Sequence, residues 1–392
     1  MGTPALHLPP AISASAIQQL LSEIGLPEAA AIEPLNVTAA FHSIYLLQFT
    51  ESESSSKLPS SSTTGSHSRT LVLRVSGNHI PRIKTLNEVA VLKWIKANCP
   101  TIPVPEVVSY SADDSNTLGR EFTILECVPG TSVDKIYPDL TEGKKLKLVS
   151  QLTDIILELN KHQWNHVGGL TISSAGDIVP GPALEDTFWL VPDIQEHWGS
   201  TETVDTLNPT GTYPSHAAYV TTYLKLFIYS IDRHPSLSLL QQDFKPRLQA
   251  LVALIPKITA LDKTELVLAH KDLHFANIMA ISDGTITGIL DWEFAGVVPA
   301  LRWDPVRAFL WNGQDSQVAN DEKYRLQQIF EDELTKRGEK LWWKDTDPQV
   351  DSIWTVIRYV RAIVEVCPRG QKLEAAKGWR DAAAEALLAL GV

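Results

Sequence analysis

The residues whose types and spacing can do chemistry are concentrated in one segment, Leu266-Val-Leu-Ala-His-Lys-Asp-Leu-His-Phe-Ala-Asn-Ile-Met-Ala-Ile-Ser-Asp-Gly-Thr-Ile-Thr-Gly-Ile-Leu-Asp-Trp-Glu293. It reads as a strand, a polar loop, a strand, a tight turn at Asp283-Gly284, a strand and an acidic tip. A hairpin of this kind brings Asn277, just before one strand, beside Asp291, just after its partner. An amide oxygen and a carboxylate then converge. Hard oxygen donors suit Mg²⁺, which keeps a few protein oxygens and completes its shell with phosphate oxygens and water. Asp272 precedes Asn277 in the same loop, where it can face the space above those ligands without being one. That position suits a base, or an orienting group, for a hydroxyl attacking phosphorus. His270 reads as a scaffold residue whose ring fixes the loop. His274 and Glu293 read equally as supports of the ligands and as direct participants.

The spacing His-x-Asp-Leu-x-x-x-Asn, followed by a hairpin and a second aspartate, resembles the catalytic-loop and metal-binding signatures of the protein-kinase fold. In the forms present here, His270-Lys-Asp-Leu-His-Phe-Ala-Asn277 and Asp291-Trp-Glu293, it is similar to the aminoglycoside phosphotransferase and choline kinase branch rather than to protein kinases. Asp304, in Pro299-Ala-Leu-Arg-Trp-Asp-Pro305, also matches that branch, where such an aspartate braces the loop region. No Ala-Pro-Glu segment follows, which favours a small acceptor over a protein. The resemblance implies an α+β, two-lobed protein-kinase-like fold: a small antiparallel β-rich N-lobe over 1–128 and a larger helical C-lobe over 129–392. It implies an activity too, transfer of the γ-phosphate of ATP, with Mg²⁺, to a hydroxyl of a small metabolite.

The resemblance continues in order along the chain. Arg74 occupies the strand position where a kinase lysine touches the α- and β-phosphates, and Glu88, on the next helix, is its candidate partner. A surface ion pair is the other reading of these two. Phe122-Thr-Ile-Leu-Glu-Cys-Val-Pro-Gly130 resembles the interlobe hinge, whose backbone from Glu126 to Val128 would hydrogen-bond the adenine edge. One departure stands out. Asn36-Val-Thr-Ala-Ala-Phe-His-Ser-Ile-Tyr45 holds no glycine where a glycine-rich phosphate loop is expected. Ala39, Ala40 and Phe41 would have to approach phosphate despite their side chains, with Ser43 and the amides near His42 as substitutes. With arginine at position 74, this motivates a second reading: a kinase-like fold with lost or repurposed phosphotransfer that binds a small molecule. A protein kinase is a third.

The elements that must position these groups follow from periodicity. A helix is expected behind Ser13, stopping at Gly25, with Ile17, Leu20, Leu21 and Ile24 on one stripe. Strand character appears at 32–37, 43–49, 70–75, 106–110 and 122–128. Between them, 51–69 turns to serine, threonine and glycine and reads as a mobile hairpin insertion. A helix over 82–98 is expected because Leu86, Val89, Ala90, Lys93, Trp94 and Ala97 recur at helical spacing. After Thr141 long amphipathic patterns take over, at 146–159, 219–230, 306–311, 323–336, 350–366 and 373–390. This helical lobe is where the resembled family holds its acceptor. Most of its tryptophans read as core, but Glu185 to Trp198 mixes aromatics and carboxylates in an expected loop. Trp189, Asp193 and Trp198, with Trp354, would make an aromatic and acidic wall for an apolar or cationic acceptor.

Composition bounds the partners. The chain has 392 residues, 44% of them hydrophobic and 20% charged, with a formal charge of -12, which argues against nucleic acid as a partner. Three cysteines, Cys99, Cys127 and Cys367, stand far apart, so a reducing cytoplasmic setting is expected. Neither a secretory signal nor a membrane-spanning run is visible, and oligomeric state is left open.

Overall fold

The structure, a computed structural model, describes residues 8–35, 41–50, 68–305 and 316–392. Helix α1 (Ala14–Glu23) starts where the Ser13 hydroxyl accepts from the Ala16 N–H (3.2 Å) and stops before Gly25, whose φ is +72°. Its buried stripe of Ile17, Leu20 and Leu21 covers one face of a five-stranded antiparallel sheet, against Tyr45, Leu47, Phe49, Leu71 and Leu73. The strands are β1 (Ala31–Leu35), β2 (His42–Thr50), β3 (Ser68–Ser76), β4 (Val107–Ser111) and β5 (Phe122–Glu126), in the order β1-β2-β3-β5-β4. Because side chains alternate along a strand, Tyr45, Leu47 and Phe49 face α1 while Ile44 and its partner Arg74 face the other way. β2 and β3 pair as far as Thr50 opposite Ser68. The insertion expected between them lies, up to residue 67, outside the described residues.

Helix α2 (Ile83–Asn98) crosses from β3 to β4, and it corrects the expected stripe. Lys93 and Ala97 are exposed, whereas Lys84, Thr85, Asn87 and Glu88 are buried alongside Val89 to Leu92 and Ile95. The first two turns of the helix are buried by charge pairing and hydrogen bonding, which apolar periodicity does not register.

The larger lobe begins past the hinge with the short β6 (Thr131–Ser132) and α3 (Glu142–Asn160). A hairpin of β7 (Gly169–Ile172) and β8 (Ile178–Gly181) leads to α4 (Val191–His197), α5 (His216–Arg233) and α6 (Phe244–Leu254). Then come β9 (Leu266–Ala269), β10 (Ile278–Ala280), β11 (Ile286–Ile289) and β12 (Gly296–Pro299), and finally α7 (Gln317–Lys336), α8 (Pro348–Val366) and α9 (Leu373–Ala389). The β7–β8 hairpin, α4 and α6 were not expected, and the helix expected at 306–311 lies outside the described residues. One core is built by α5, α6, α8 and α9; another packs α2, α3 and α7 around the β9–β12 segment. The fold is the expected α+β arrangement, an antiparallel sheet in the N-terminal part followed by a mostly helical C-terminal part. No helix among the described residues is long and apolar enough to cross a membrane.

Gly130 is a position that requires glycine. Its φ is +105°, and a Cβ there would lie 2.5 Å from the Ala280 carbonyl oxygen, where β6 passes over β10. Gly130→Ala is therefore expected to cost about 2 kcal/mol or more. Urea unfolding should show a lower midpoint at an unchanged slope.

Candidate active site

The hairpin β10–β11 is antiparallel, with Ile278 opposite Ile289, and the Leu290 N–H donates to the Asn277 carbonyl (2.8 Å). Asn277 and Asp291 thus leave the same end of one hairpin. Asp291 has φ +65° and Lys271 φ +68°, and each such non-glycine residue costs about 1–3 kcal/mol of backbone strain. Both flank the candidate groups, where the surrounding bonds hold them in place. The Asn277 amide nitrogen donates to the Asp272 carbonyl (2.9 Å) and carboxylate (3.3 Å), which leaves the amide oxygen as the atom for a cation. The Asp272 carboxylate is about half exposed, with the His274 Nε2 3.5 Å from its Oδ2. Burial opposes a charge on His274, but Asp272 and Asp291 outweigh it and raise the ring above its ordinary range.

His270 is fully buried, packed on the Trp292 ring with centroids 4.5 Å apart. Its Nε2 lies 2.7 Å from the Leu290 carbonyl, and its Nδ1 accepts the Asp272 N–H (3.3 Å). Burial holds the ring below its usual pKa, so a neutral imidazole ties the backbone of the 270–277 loop to the end of β11. Asp304 lies half-buried just past the turn Ala300–Arg302.

Arg74 comes down from β3 and, with Glu88, forms a buried rather than a surface ion pair. Its Nη2 also donates to Asp291 Oδ1 (2.7 Å). Against burial, which would raise it, that guanidinium holds the Asp291 carboxyl below the usual carboxylate range. Sequence reasoning named Glu293 but missed the side chains that bind it. Lys84, one helical turn before Glu88, donates to Glu293 Oε2 (2.7 Å), and both are almost wholly buried. His42 lies between two cations, its Nδ1 3.2 Å from Arg74 Nη2 and its Nε2 3.0 Å from Lys84 Nζ, with Glu293 Oε2 3.5 Å from the same Nε2; a neutral ring accepts from one of the two cations. Burial, then Lys84 and Arg74, keep that ring neutral. Burial pushes the Glu293 carboxyl up to about 7, with Lys84 pulling it down. Asn87 donates to the Glu293 and Ala295 carbonyls (2.9 and 2.8 Å) and accepts the Leu170 N–H (2.8 Å), pinning α2 to the acidic tip and to β7. The available signal was spacing: Lys84, Asn87 and Glu88 share one face of α2.

Other expected residues fall differently. Ser43 lies on the α1 side of the sheet, opposite to Arg74, and its hydroxyl donates to the Pro9 carbonyl (3.2 Å). Strand alternation therefore takes it away from the site. Ala39 and Ala40 lie outside the described residues. Phe41 packs edge-on against Phe294 (5.3 Å) and His79 (4.9 Å). In the hinge, the Glu126 N–H is taken by the Glu106 carbonyl (2.9 Å) and the Cys127 N–H by that of Thr70 (3.4 Å). Among these three hinge amides, that of Val128 is the donor left for a ligand. Trp189 and Trp198 are core residues of the helical lobe, and the second half of their expected loop is α4. Asp193 is paired with Arg369 (2.9 Å), which lies over the Trp189 ring, so these three do not form an open wall.

Trp354 is placed otherwise. Its Nε1 donates to His216 Nε2 (2.9 Å), a ring that burial and Arg302 lower to about 3. Trp354 packs near Tyr219, whose hydroxyl donates to Glu185 (3.3 Å), and Glu185 accepts from Lys271 (3.2 Å), beside Asp272 in the chain. A run of aromatic and polar groups thus leads from Trp354 to the loop that carries Asp272, through Tyr219, Glu185 and Lys271, none of which had been singled out individually.

The chain is 29% identical over 220 residues to clavilactone A biosynthesis cluster protein Y of Ampulloclitocybe clavipes, covering 55% of this chain and 50% of that protein. It is 27% identical over 115 residues to a subtelomeric hrmA-associated cluster protein of Aspergillus fumigatus, covering 27% of this chain and 22% of that one. The chain therefore spans half or less of the length of these curated relatives. Among solved structures, the gentamicin-APH(2″)-IIa complex aligns with 96% of this chain and 97% of its own at 13% identity and a TM-score of 0.49. The ADP-bound aminoglycoside phosphotransferase APH(2″)-Ib aligns with 96% and 97% at 14% identity and a TM-score of 0.48. The profile of the phosphotransferase enzyme family matches residues 61–317, which take in Arg74, Glu88, the hinge, the catalytic loop and Asp291. With that span well over half of the sequence, the chain belongs to the phosphotransferase enzyme family.

Proposed function

We propose that this chain transfers the γ-phosphate of ATP, with Mg²⁺, to a hydroxyl of a small metabolite. The observation that carries the reading is the hairpin end: an amide oxygen from Asn277, a carboxylate from Asp291 kept ionised by Arg74, and the Asp272 carboxylate bonded to the same Asn277. This donor set fits a hard dication, which has no use for thiolates and favours oxygen. Mg²⁺, when bound, neutralises phosphate charge. Arg74, braced by Glu88, holds phosphate oxygens, and the Val128 N–H meets the adenine edge. Asp272 orients the acceptor hydroxyl and takes its proton as the new oxygen–phosphorus bond forms. The β–γ bridging bond breaks at the same time, leaving a phosphomonoester and ADP. Tyr219, Glu185 and Trp354 lie on the side from which the acceptor approaches.

Two observations favour a second reading, a kinase-like small-molecule binder without phosphotransfer. Arg74 is already bonded to Asp291, and Phe41 is seated on Phe294 where a glycine-rich loop would leave room. Calorimetric titration with ATP, with and without Mg²⁺, separates the two. The wild type is expected to bind more tightly with Mg²⁺, and Asp291→Ala to lose that gain while keeping its Mg²⁺-free affinity. Turnover, read as phosphate mass gain over a panel of metabolite alcohols, should fall at least about 100-fold. Unchanged Mg²⁺ dependence and unchanged turnover in Asp291→Ala would favour the second reading.

A further inference from the structure

Away from the nucleotide cleft, two helices present a thiol, an imidazole and a carboxylate to one another. Cys99 directly follows α2 and is fully buried. Glu158 lies in the last turn of α3, and His162 follows that helix. The Cys99 Sγ lies 3.2 Å from the His162 Nε2, and one ligand atom from each of the three residues falls within 4.8 Å of the other two. Cys99 lies 63 residues from His162 in the chain, so the packing of the end of α2 against the end of α3 brings it to the other two donors. We propose that Cys99, Glu158 and His162 form a zinc site that clamps the end of α2 to the end of α3.

The chemistry selects the ion. A thiolate, an imidazole nitrogen and a carboxylate oxygen are a borderline-soft set that suits Zn²⁺ and not Mg²⁺. Tetrahedral zinc with bonds of about 2.3 Å to sulfur and 2.0–2.1 Å to nitrogen sets those two donors roughly 3.5 Å apart. The pair here is within a few tenths of an ångström of that without metal. The His162 ring is held edge-on to Trp94, centroids 4.8 Å apart, and Trp94 packs on Trp164 at the same distance, so aromatic packing fixes its orientation. Glu158 also accepts from Lys161 (2.6 Å), but that lysine is mostly exposed and such a pair is easily exchanged. Zinc takes Cys99 as the thiolate, and the thiol proton leaves to solvent as the bond forms. Three protein ligands leave the fourth position to water. Because α2 also carries Lys84, Asn87 and Glu88, the clamp fixes the helix that braces Arg74.

The test uses reduced, chelator-stripped full-length protein and no activity readout, so its outcome is independent of the phosphotransfer reading. In competition with a chromogenic chelator, the wild type is expected to take up one equivalent of Zn²⁺. With Co²⁺ in its place, a thiolate-to-cobalt charge-transfer band should appear. Cys99→Ser abolishes the band, His162→Ala weakens zinc binding at least about tenfold, and Cys127→Ser leaves both unchanged. Zinc raises the melting temperature of the wild type by mass action and does not raise that of Cys99→Ser. Absence of zinc uptake by the wild type overturns the proposal, as does uptake that survives Cys99→Ser. Should Cys99→Ser fail to fold, the wild-type cobalt band and its loss in His162→Ala decide the matter.

Discussion

Asp272→Asn is expected to lower kcat about 10²–10⁴-fold while leaving ATP affinity at the wild-type value. The carboxylate is half exposed toward the cleft, and its Oδ2 is shared between the Asn277 amide and His274. An asparagine can keep one of these bonds through its carbonyl oxygen, so the loop should hold its shape. It cannot take a proton from the acceptor hydroxyl. The loss therefore belongs in kcat and not in the binding of either substrate. Steady-state kinetics with an acceptor found by the mass-gain screen, paired with ATP titration of the same variant, provide the measurement. A variant that keeps more than a tenth of the wild-type kcat would remove Asp272 from the chemistry. A parallel loss of ATP affinity would instead make it a structural support of the loop.

What was legible in the sequence was whatever has a local mechanism. Ser13 and Gly25 bound α1 because a side-chain cap and a left-handed residue each act over a few residues. Asp283-Gly284 between two short apolar runs specifies a hairpin, and a hairpin dictates that residues just outside its two strands meet. Hence Asn277 and Asp291 could be put together before any coordinates were known. The position of Arg74 relative to Glu88 followed similarly from strand and helix order.

What could not be read was which face of an element is buried when charges rather than apolar groups cover it. The expected stripe on α2 included Lys93 and Ala97 and left out Lys84 and Asn87, which are polar and buried. Ser43 failed for a related reason. A loop residue may turn to either side, but once β2 starts at His42, alternation commits Ser43 to the side of α1. The wall expected from Trp189, Asp193 and Trp198 depended on a loop. α4 replaced it because Val191-Pro-Asp begins a helix with proline in its first turn, and Arg369 from beyond α8 satisfies the acid.

The same buried charges set the last expectation. Lys84 and Glu293 are each about 2% exposed and 2.7 Å apart, so neither has water to fall back on. Lys84→Met leaves Glu293 with only the long His42 contact and the distant Arg74, 3.9 Å away. Breaking a buried pair from one side costs about 3–5 kcal/mol. Glu293→Gln leaves the buried lysine charge without a counterion, with the His42 ring 3.0 Å away as its neutral partner, and should cost a similar amount. The double variant Lys84→Met/Glu293→Gln removes both charges, so its unfolding free energy should lie above the additive value by more than about 1 kcal/mol. Asn87, which holds the Glu293 backbone rather than its side chain, gives a control: Asn87→Ala should weaken the protein additively with Lys84→Met. Urea unfolding of the set supplies the cycle. Strict additivity between Lys84→Met and Glu293→Gln would mean that α2 is held to the acidic tip by its backbone clamp alone, and that the ion pair is incidental to the position of Arg74.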